Sequence, residues 1–206
     1  MKLIVVNKLL VNRGWQLTTR ASRFHHWIPD ETLPEENLVV LPAKSSTALP
    51  VGTVETIVRR INQKQSTTGW SRALAGVRSV ELVVEKSGDV LWGRVAVKGL
   101  FLVVWGSDTH CLTTQVQELL TGLMAESAGY SDWSACTLSF DIRYDMTEVW
   151  SFLREIRVNY LADLAGIEPA TINRFVSGKE FPSTEQMIQL RKSLQEMGHQ
   201  LLRLSS

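Results

Sequence analysis

Cysteine is scarce in this 206-residue chain. There are two, Cys111 and Cys136, too few for a disulfide framework and not spaced as metal ligands. A surplus of charge is lacking as well. Lys and Arg number 22 against 21 Asp and Glu, a net +1, so no global field draws the chain to nucleic acid or to a membrane surface. From Trp150 onward the balance repeats, with seven Lys/Arg and six Asp/Glu. Any affinity for DNA in that part must come from a local patch or from two copies acting together. No apolar run reaches the roughly 18 residues that mark a membrane helix, and Met1 to Leu10 is followed by no cleavage-like site. These absences lead us to expect a cytoplasmic protein with no membrane partner, no cofactor and no metal. What remains is ordinary globular composition, in a length with room for two or three small domains.

The most informative stretch is VNYLADLAGIEPATINRFVSG, residues 158–178. It reads as a helix-turn-helix. Ala162 falls where two helices approach closely, and Gly166 where the turn needs a positive φ. Leu161, Ala165, Ile167, Ile172 and Phe175 take the core-facing positions, and Pro169 opens the second helix. That helix is expected to offer Ala170, Thr171, Asn173 and Arg174 outward, with Lys179 just beyond it, as a recognition helix does in the major groove. The plainer alternative is a helical hairpin in a small bundle.

Taken in order, the chain opens with a helical stripe in KLIVVNKLLVNRGW that pairs Val5 and Val6 with Leu9 and Leu10 and ends at Gly14. Three short strands follow, WQLTTR, FHHWI and LVVL. Gly52 and Thr53 then open a helix with Val54, Ile57, Val58 and Ile61 on one face. Residues 62–75 carry no clear periodicity and read as a linker in which Trp70 could pin the chain to a neighbour. VELVVEK, a Ser87-Gly88-Asp89 turn, VLWGRVAV and LFLVVW make a second set of three strands. A helix from Leu112 to Met124 follows, with Val116, Leu119, Leu120 and Leu123 aligned. Then come the strand TLSFDIRY, a helix capped by Asp145-Met146-Thr147 and carrying Val149, Trp150, Phe152 and Leu153, and the helix-turn-helix. Ser183-x-x-Gln186 is a capping box for a closing helix with Met187, Leu190, Leu194 and Met197 inward, stopping at Gly198. The fold class expected is α+β: an α-β-β-β-α module, a β-β-β-α module and an all-α C-terminal part.

Three pieces of the chain resemble a known pair of families. KLLVNRGW (8–15), the paired His25 and His26 before an aromatic, VVLPAK (39–44) and LPVGTVETIVRRI (49–61) are similar to HicA toxins. These are small mRNA interferases, endoribonucleases with a double-stranded-RNA-binding-like (dsRBD-like) fold. Arg23-Phe24 stands where that family usually carries Gly-Ser. Gly99, WGSDT (105–109) and the helix after it resemble the N-terminal part of HicB antitoxins, a partial ribonuclease-H-like (RNase-H-like) fold. FDIRYDMTEVWSFL through FVSGKEFPSTEQ resembles the DNA-binding half of one HicB branch. The resemblance implies a HicA-like module at 1–62, a linker at 63–79, a HicB-like domain at 80–136 and a strand plus helix-turn-helix at 137–206.

By the resemblance, His26 is the catalytic residue of a metal-independent RNA cleavage through the 2′-hydroxyl, for which a neutral imidazole is a suitable base. Lys8, Arg20, Arg23, His25 and Lys44 would hold RNA. Alternation puts His25 and His26 on opposite strand faces. The bland alternative is two surface histidines among solvated cations. His110 and His199 are isolated and read as surface or cap residues, Trp92, Trp133 and Trp150 read as core anchors, and Asp30-Glu31 with Glu35-Glu36 as a solvated loop. The function expected is a fused toxin–antitoxin of the HicAB type, neutralised in cis and repressing transcription at its own operator DNA as a homodimer or higher oligomer. Two rivals stand beside it. One is a transcriptional regulator whose HicA-like part has no catalysis and only binds RNA or scaffolds, and the other is an mRNA-binding adaptor.

Overall fold

A computed structural model describes residues 2–20, 23–29, 37–43, 48–62, 69–126, 138–147, 150 and 158–204. Lys44, the four acidic residues between 30 and 36, Trp133, Cys136 and most of the helix expected after Asp145 lie outside them. The chain divides into two compact units, Met1–Asp141 and Ile142–Ser206. The described residues form seven strands and seven helices, an α+β fold. None of these helices is long and apolar enough to cross a membrane.

The first unit begins with α1 (Leu3–Asn12), which buries Leu3, Val6 and Leu10. The i, i+3, i+7 spacing of that trio sets the inward stripe, so Val5, expected on it, is exposed instead. β1 (Trp15–Arg20), β2 (Phe24–Pro29) and β3 (Leu38–Pro42) form an antiparallel meander. α2 (Val51–Asn62) returns across it with Ile57 buried and Val54 and Ile61 packed beside. α3 (Trp70–Ala75) occupies part of the expected linker. Trp70 and Leu74, one turn apart, are both buried, and that burial makes a helix of a stretch without evident periodicity. β4 (Ser79–Ser87), β5 (Val90–Val97) and β6 (Leu100–Gly106) form a second antiparallel meander. Gly88 and Gly99 turn its corners at φ +60° and +79°. α4 (Thr109–Glu126) then packs on β5 and β6, and β7 (Ser139–Tyr144) joins beside β4, where Ser139 N donates to Arg78 O at 2.9 Å.

The two meanders are one sheet. β3 and β6 run parallel, with Leu38 opposite Leu100, Val39 opposite Phe101 and Val40 opposite Leu102, and the strand order is β1-β2-β3-β6-β5-β4-β7. The division expected at residues 63–79 is therefore no division of the sheet. β3 is buried along its whole length and β6 nearly so, because both lie centrally with helices on either face. On one face Leu3, Val6 and Leu10 of α1 and Ile57 of α2 share a core with Trp15, Trp27, Val39, Leu41, Trp92, Phe101 and Val103. On the other, Gly93 leaves just enough space for Leu82, Val104 and Leu112 of α4, since a Cβ there would meet all three within 3.0–3.3 Å.

A buried charge fixes α2 to the second meander. Gly52 N and Thr53 N, at the start of α2, donate to the Glu85 carboxylate at 2.9 Å each, and Thr53 Oγ1 donates at 3.1 Å. Arg94 Nη1 lies 3.1 Å from the same carboxylate, and the two side chains are 4% and 2% exposed. The helix thus takes its N-terminal acceptor from β4 rather than from its own sequence.

In the second unit Asp145 Oδ1 accepts from Thr147 N and Oγ1, as a helix cap does. α5 (Val158–Ala165) ends in Gly166 at φ +63°, where Ile167 N reaches Ala162 O and Gly166 N reaches Asp163 O. α6 (Pro169–Val176) ends the same way at Gly178, with Lys179 N on Arg174 O and Gly178 N on Phe175 O. Both are Schellman closures that need a left-handed residue. α7 (Thr184–Leu204) opens with the reciprocal bonds of the capping box, Ser183 N to Gln186 Oε1 and Gln186 N to Ser183 Oγ. Gly198 does not end it. One glycine costs a helix about 1 kcal/mol, and Tyr160 Oη donating to Gln200 Oε1 at 2.9 Å ties the later turns to α5. Leu161, Ala162, Ile172, Phe175, Leu190, Met197 and Trp150 form the core of this unit.

Candidate functional site

His26 sits in the middle of β2. Its register partner is Val40, whose partner in turn is Leu102. Val104, two residues further along β6, faces Leu112 of α4 across Gly93. Alternation therefore places Phe24, His26, Val40, Leu102 and Val104 on the sheet face over which α4 lies. His25 and Trp27 turn to the opposite face, where α1 and α2 pack. His26 is half-buried, and burial depresses its pKa below the usual 6.5. The Glu126 carboxylate at the end of α4 pulls it up and neighbouring His25 pulls it down, each by less than the burial does. The result is an imidazole that is neutral at physiological pH and can accept a proton.

The cations expected around it are dispersed. Lys8 is exposed on α1, across the sheet from His26. Arg20 aligns with His25 in the backbone ladder, and its side chain lies outside what is described, as does Lys44. Arg23 is the exception. It precedes Phe24 on β2 and borders a cavity of about 390 Å³ with Phe24, Trp105, Gly106, Ser107, Cys111 and Gln115. Gly106 lets α4 close on the end of β6, since a Cβ there would stand 2.7 Å from Cys111 Sγ. Asp108 caps α4 by accepting from Cys111 N at 2.8 Å and from Ser107 Oγ at 2.7 Å, and these two bonds hold its carboxyl below the usual range.

In the second unit Ala170, Asn173, Arg174 and Lys179 are exposed on α6 and the turn after it. Thr171 departs from expectation. It is buried, because it lies one turn before Phe175 at the edge of the core-facing stripe, and its hydroxyl accepts from Arg174 Nη2 at 2.8 Å. Arg174 Nε donates to Glu180 Oε2 at 2.5 Å. The guanidinium is thus held between Thr171 and Glu180, both within seven residues of sequence but on different local structures. His110 and His199 are exposed, and Trp92 and Trp150 are buried.

Sequence reasoning missed four contributors, Glu85 with Arg94, Gln115, and Glu180. Glu85 and Arg94 sit at inward positions of alternating strands, a parity that could have marked them. Gln115 lies on the buried face of α4 with Leu112, Val116 and Leu123, a polar residue on an apolar stripe. Glu180 carries no such signal, because its role depends on how the Schellman turn at Gly178 brings it back over α6. Compared with known proteins, the chain matches no family model, no curated sequence and no solved structure.

Proposed function

We propose that the chain is a toxin–antitoxin fusion of the HicAB type, in which a HicA-like endoribonuclease segment is silenced by the HicB-like segment of the same chain. The observation that carries this reading is the position of His26, half-buried on the same sheet face as α4 and within electrostatic reach of Glu126 at the end of that helix. A general base for RNA cleavage needs the substrate's 2′-hydroxyl within hydrogen-bond reach, and in this reading the Glu126 end of α4 obstructs that approach. The β3–β6 ladder makes the contact permanent by adding main-chain hydrogen bonds to it, where a separate partner would dissociate. In this reading Arg23 contacts RNA, His25 on the opposite face of β2 does not share that substrate with His26, and Lys8, Arg20 and Lys44 are secondary. The dsRBD-like and RNase-H-like halves share one sheet.

The second unit serves as the DNA-binding part. α5 and α6 act as a helix-turn-helix, α6 enters the major groove, and Asn173, Arg174 and Lys179 contact operator DNA, with two copies on two half-sites. Thr171 contributes by holding Arg174 rather than by touching a base.

The test is RNA cleavage by the full chain and by a chain with α4 loosened through Leu120→Ala and Leu123→Ala. Cleavage should appear on loosening and vanish when His26→Ala is added. Absence of cleavage in every form would leave the second reading, a DNA-binding regulator whose HicA-like part is inactive. That reading is favoured by the same burial of His26 and by Arg23-Phe24 in place of Gly-Ser.

A further inference from the structure

The cavity at the start of β2 is built from both meanders: Arg23 and Phe24 from the first, Trp105, Gly106, Ser107, Cys111 and Gln115 from the second. At about 390 Å³ it falls in the size range of small-ligand sites, roughly 300–1,000 Å³. Its lining combines an exposed cation, the Phe24 ring and one oriented amide. Gln115 is 8% exposed. Its Nε2 is spent on Trp105 O at 2.9 Å and Cys111 Sγ at 3.1 Å, so the amide cannot turn, and what it has left for a ligand is its Oε1 acceptor. Asp108, next to Ser107, keeps negative charge at that corner and leaves Arg23 as the end where an anion is welcome.

We propose that this cavity binds one nucleotide, its base lodged against Phe24 with an amino group on Gln115 Oε1, and its phosphate on Arg23. Aromatic contact is tolerant of base identity, while the Gln115 acceptor favours bases that carry an exocyclic amino group, adenine, cytosine and guanine above uracil. Arg23 can hold a phosphate with two parallel bonds. Phe24 and His26 lie on one face of β2, two residues and about 7 Å apart along the strand, so a nucleotide held here is next to the residue to which RNA cleavage is assigned. The inference rests on the RNA reading for its biological ligand. It adds that the HicB-like segment contributes half of a nucleotide site instead of only covering one.

The probes are the four nucleoside 5′-monophosphates, inorganic phosphate and a short single-stranded oligoribonucleotide, with the full-length His26→Ala chain as the protein so that nothing is turned over. The readout is the rate at which a maleimide labels Cys111, followed on its own peptide by mass spectrometry, alongside affinity by calorimetry. AMP, CMP and GMP should slow labelling, UMP should do so less, and phosphate alone should not. Arg23→Ala, at an exposed position that leaves the melting temperature unchanged, should weaken binding about tenfold, the loss of one charge-assisted contact. Gln115→Leu should abolish the preference over UMP. Tighter binding of the oligonucleotide identifies RNA as the source of the nucleotide, and equal binding identifies a free nucleotide. No protection by any nucleotide, or equal protection by phosphate, overturns the proposal. Cleavage of RNA by the loosened chain without nucleotide protection would sink this site and leave the toxin reading standing, and protection without cleavage would do the reverse.

Discussion

Removing the Glu85 carboxylate should be among the most damaging single changes in the first unit. In Glu85→Ala, Gly52 N and Thr53 N lose the acceptor that closes the N-terminus of α2, and Arg94, 4% exposed, loses the carboxylate 3.1 Å from its Nη1. Breaking a buried ion pair by deleting one partner costs about 3–5 kcal/mol. An orphaned helix N–H adds about 1–3 kcal/mol where water cannot replace the acceptor, but α2 can fray at that end, so the sum stays near the upper part of the first range. At about 2–4 °C per kcal/mol for a unit of this size, the melting temperature should fall by roughly 10–15 °C. Glu85→Gln keeps an acceptor for one N–H and loses the charge, and should cost about half as much. The double variant Glu85→Leu/Arg94→Leu should be less harmful than Glu85→Ala alone, since no charge is left buried. Urea unfolding of the four proteins measures this, and hydrogen exchange at Gly52 and Thr53 should accelerate first in Glu85→Ala. If Glu85→Ala costs under about 1 kcal/mol, or the double variant costs more than Glu85→Ala alone, then the carboxylate does not hold α2 and the reasoning fails.

His26 gives a pH test with a definite sign. Its folded pKa lies below 6.5 through burial, so between the two values the unfolded chain binds the proton and the folded chain does not. Stability should be full above that range and fall as the pH drops through it, and His26→Gln should flatten the slope of the urea midpoint between about pH 5 and 8. Glu180→Gln releases Arg174 from its 2.5 Å ion pair, so operator binding should tighten by severalfold with a steeper salt dependence, whereas unchanged binding in both Glu180→Gln and Arg174→Ala would remove α6 from the DNA contact. Ser183→Ala breaks one arm of the capping box and should destabilise the second unit by about 1 kcal/mol in thermal melts, with Gln186→Ala adding little to it.

Most element positions were legible in the sequence because they rest on local signals. Gly14, Gly88, Gly99, Gly166 and Gly178 all take positive φ, and each closes an element where the sequence placed or allowed an end. The pairing of β3 with β6 was not legible. Yet LVVL and LFLVVW differ from WQLTTR by being apolar at consecutive positions, the mark of strands covered on both faces. Reading each as the last strand of its own meander left that continuous burial without a cause. His26 and Arg23 were named through a family resemblance, and the structure sets Arg23 at the cavity and His26 two residues along β2 from Phe24. The candidate site was not legible at Gln115, because which amide meets which strand end depends on a parallel ladder between segments some sixty residues apart.

That ladder also sets an order of events during synthesis. β3 is complete when its partner, Leu100–Gly106, has not been made, and the separation from Leu38 to Leu100 is about sixty residues. At ribosomal rates of roughly 5–20 residues per second, the edge of β3 waits about 3–12 s for β6. Through that interval the nascent first meander carries a bare apolar strand edge and an α2 whose N-terminus has not met Glu85. Chains that stop early keep both defects, so incomplete products of this gene are the ones for which aggregation or proteolysis competes with folding.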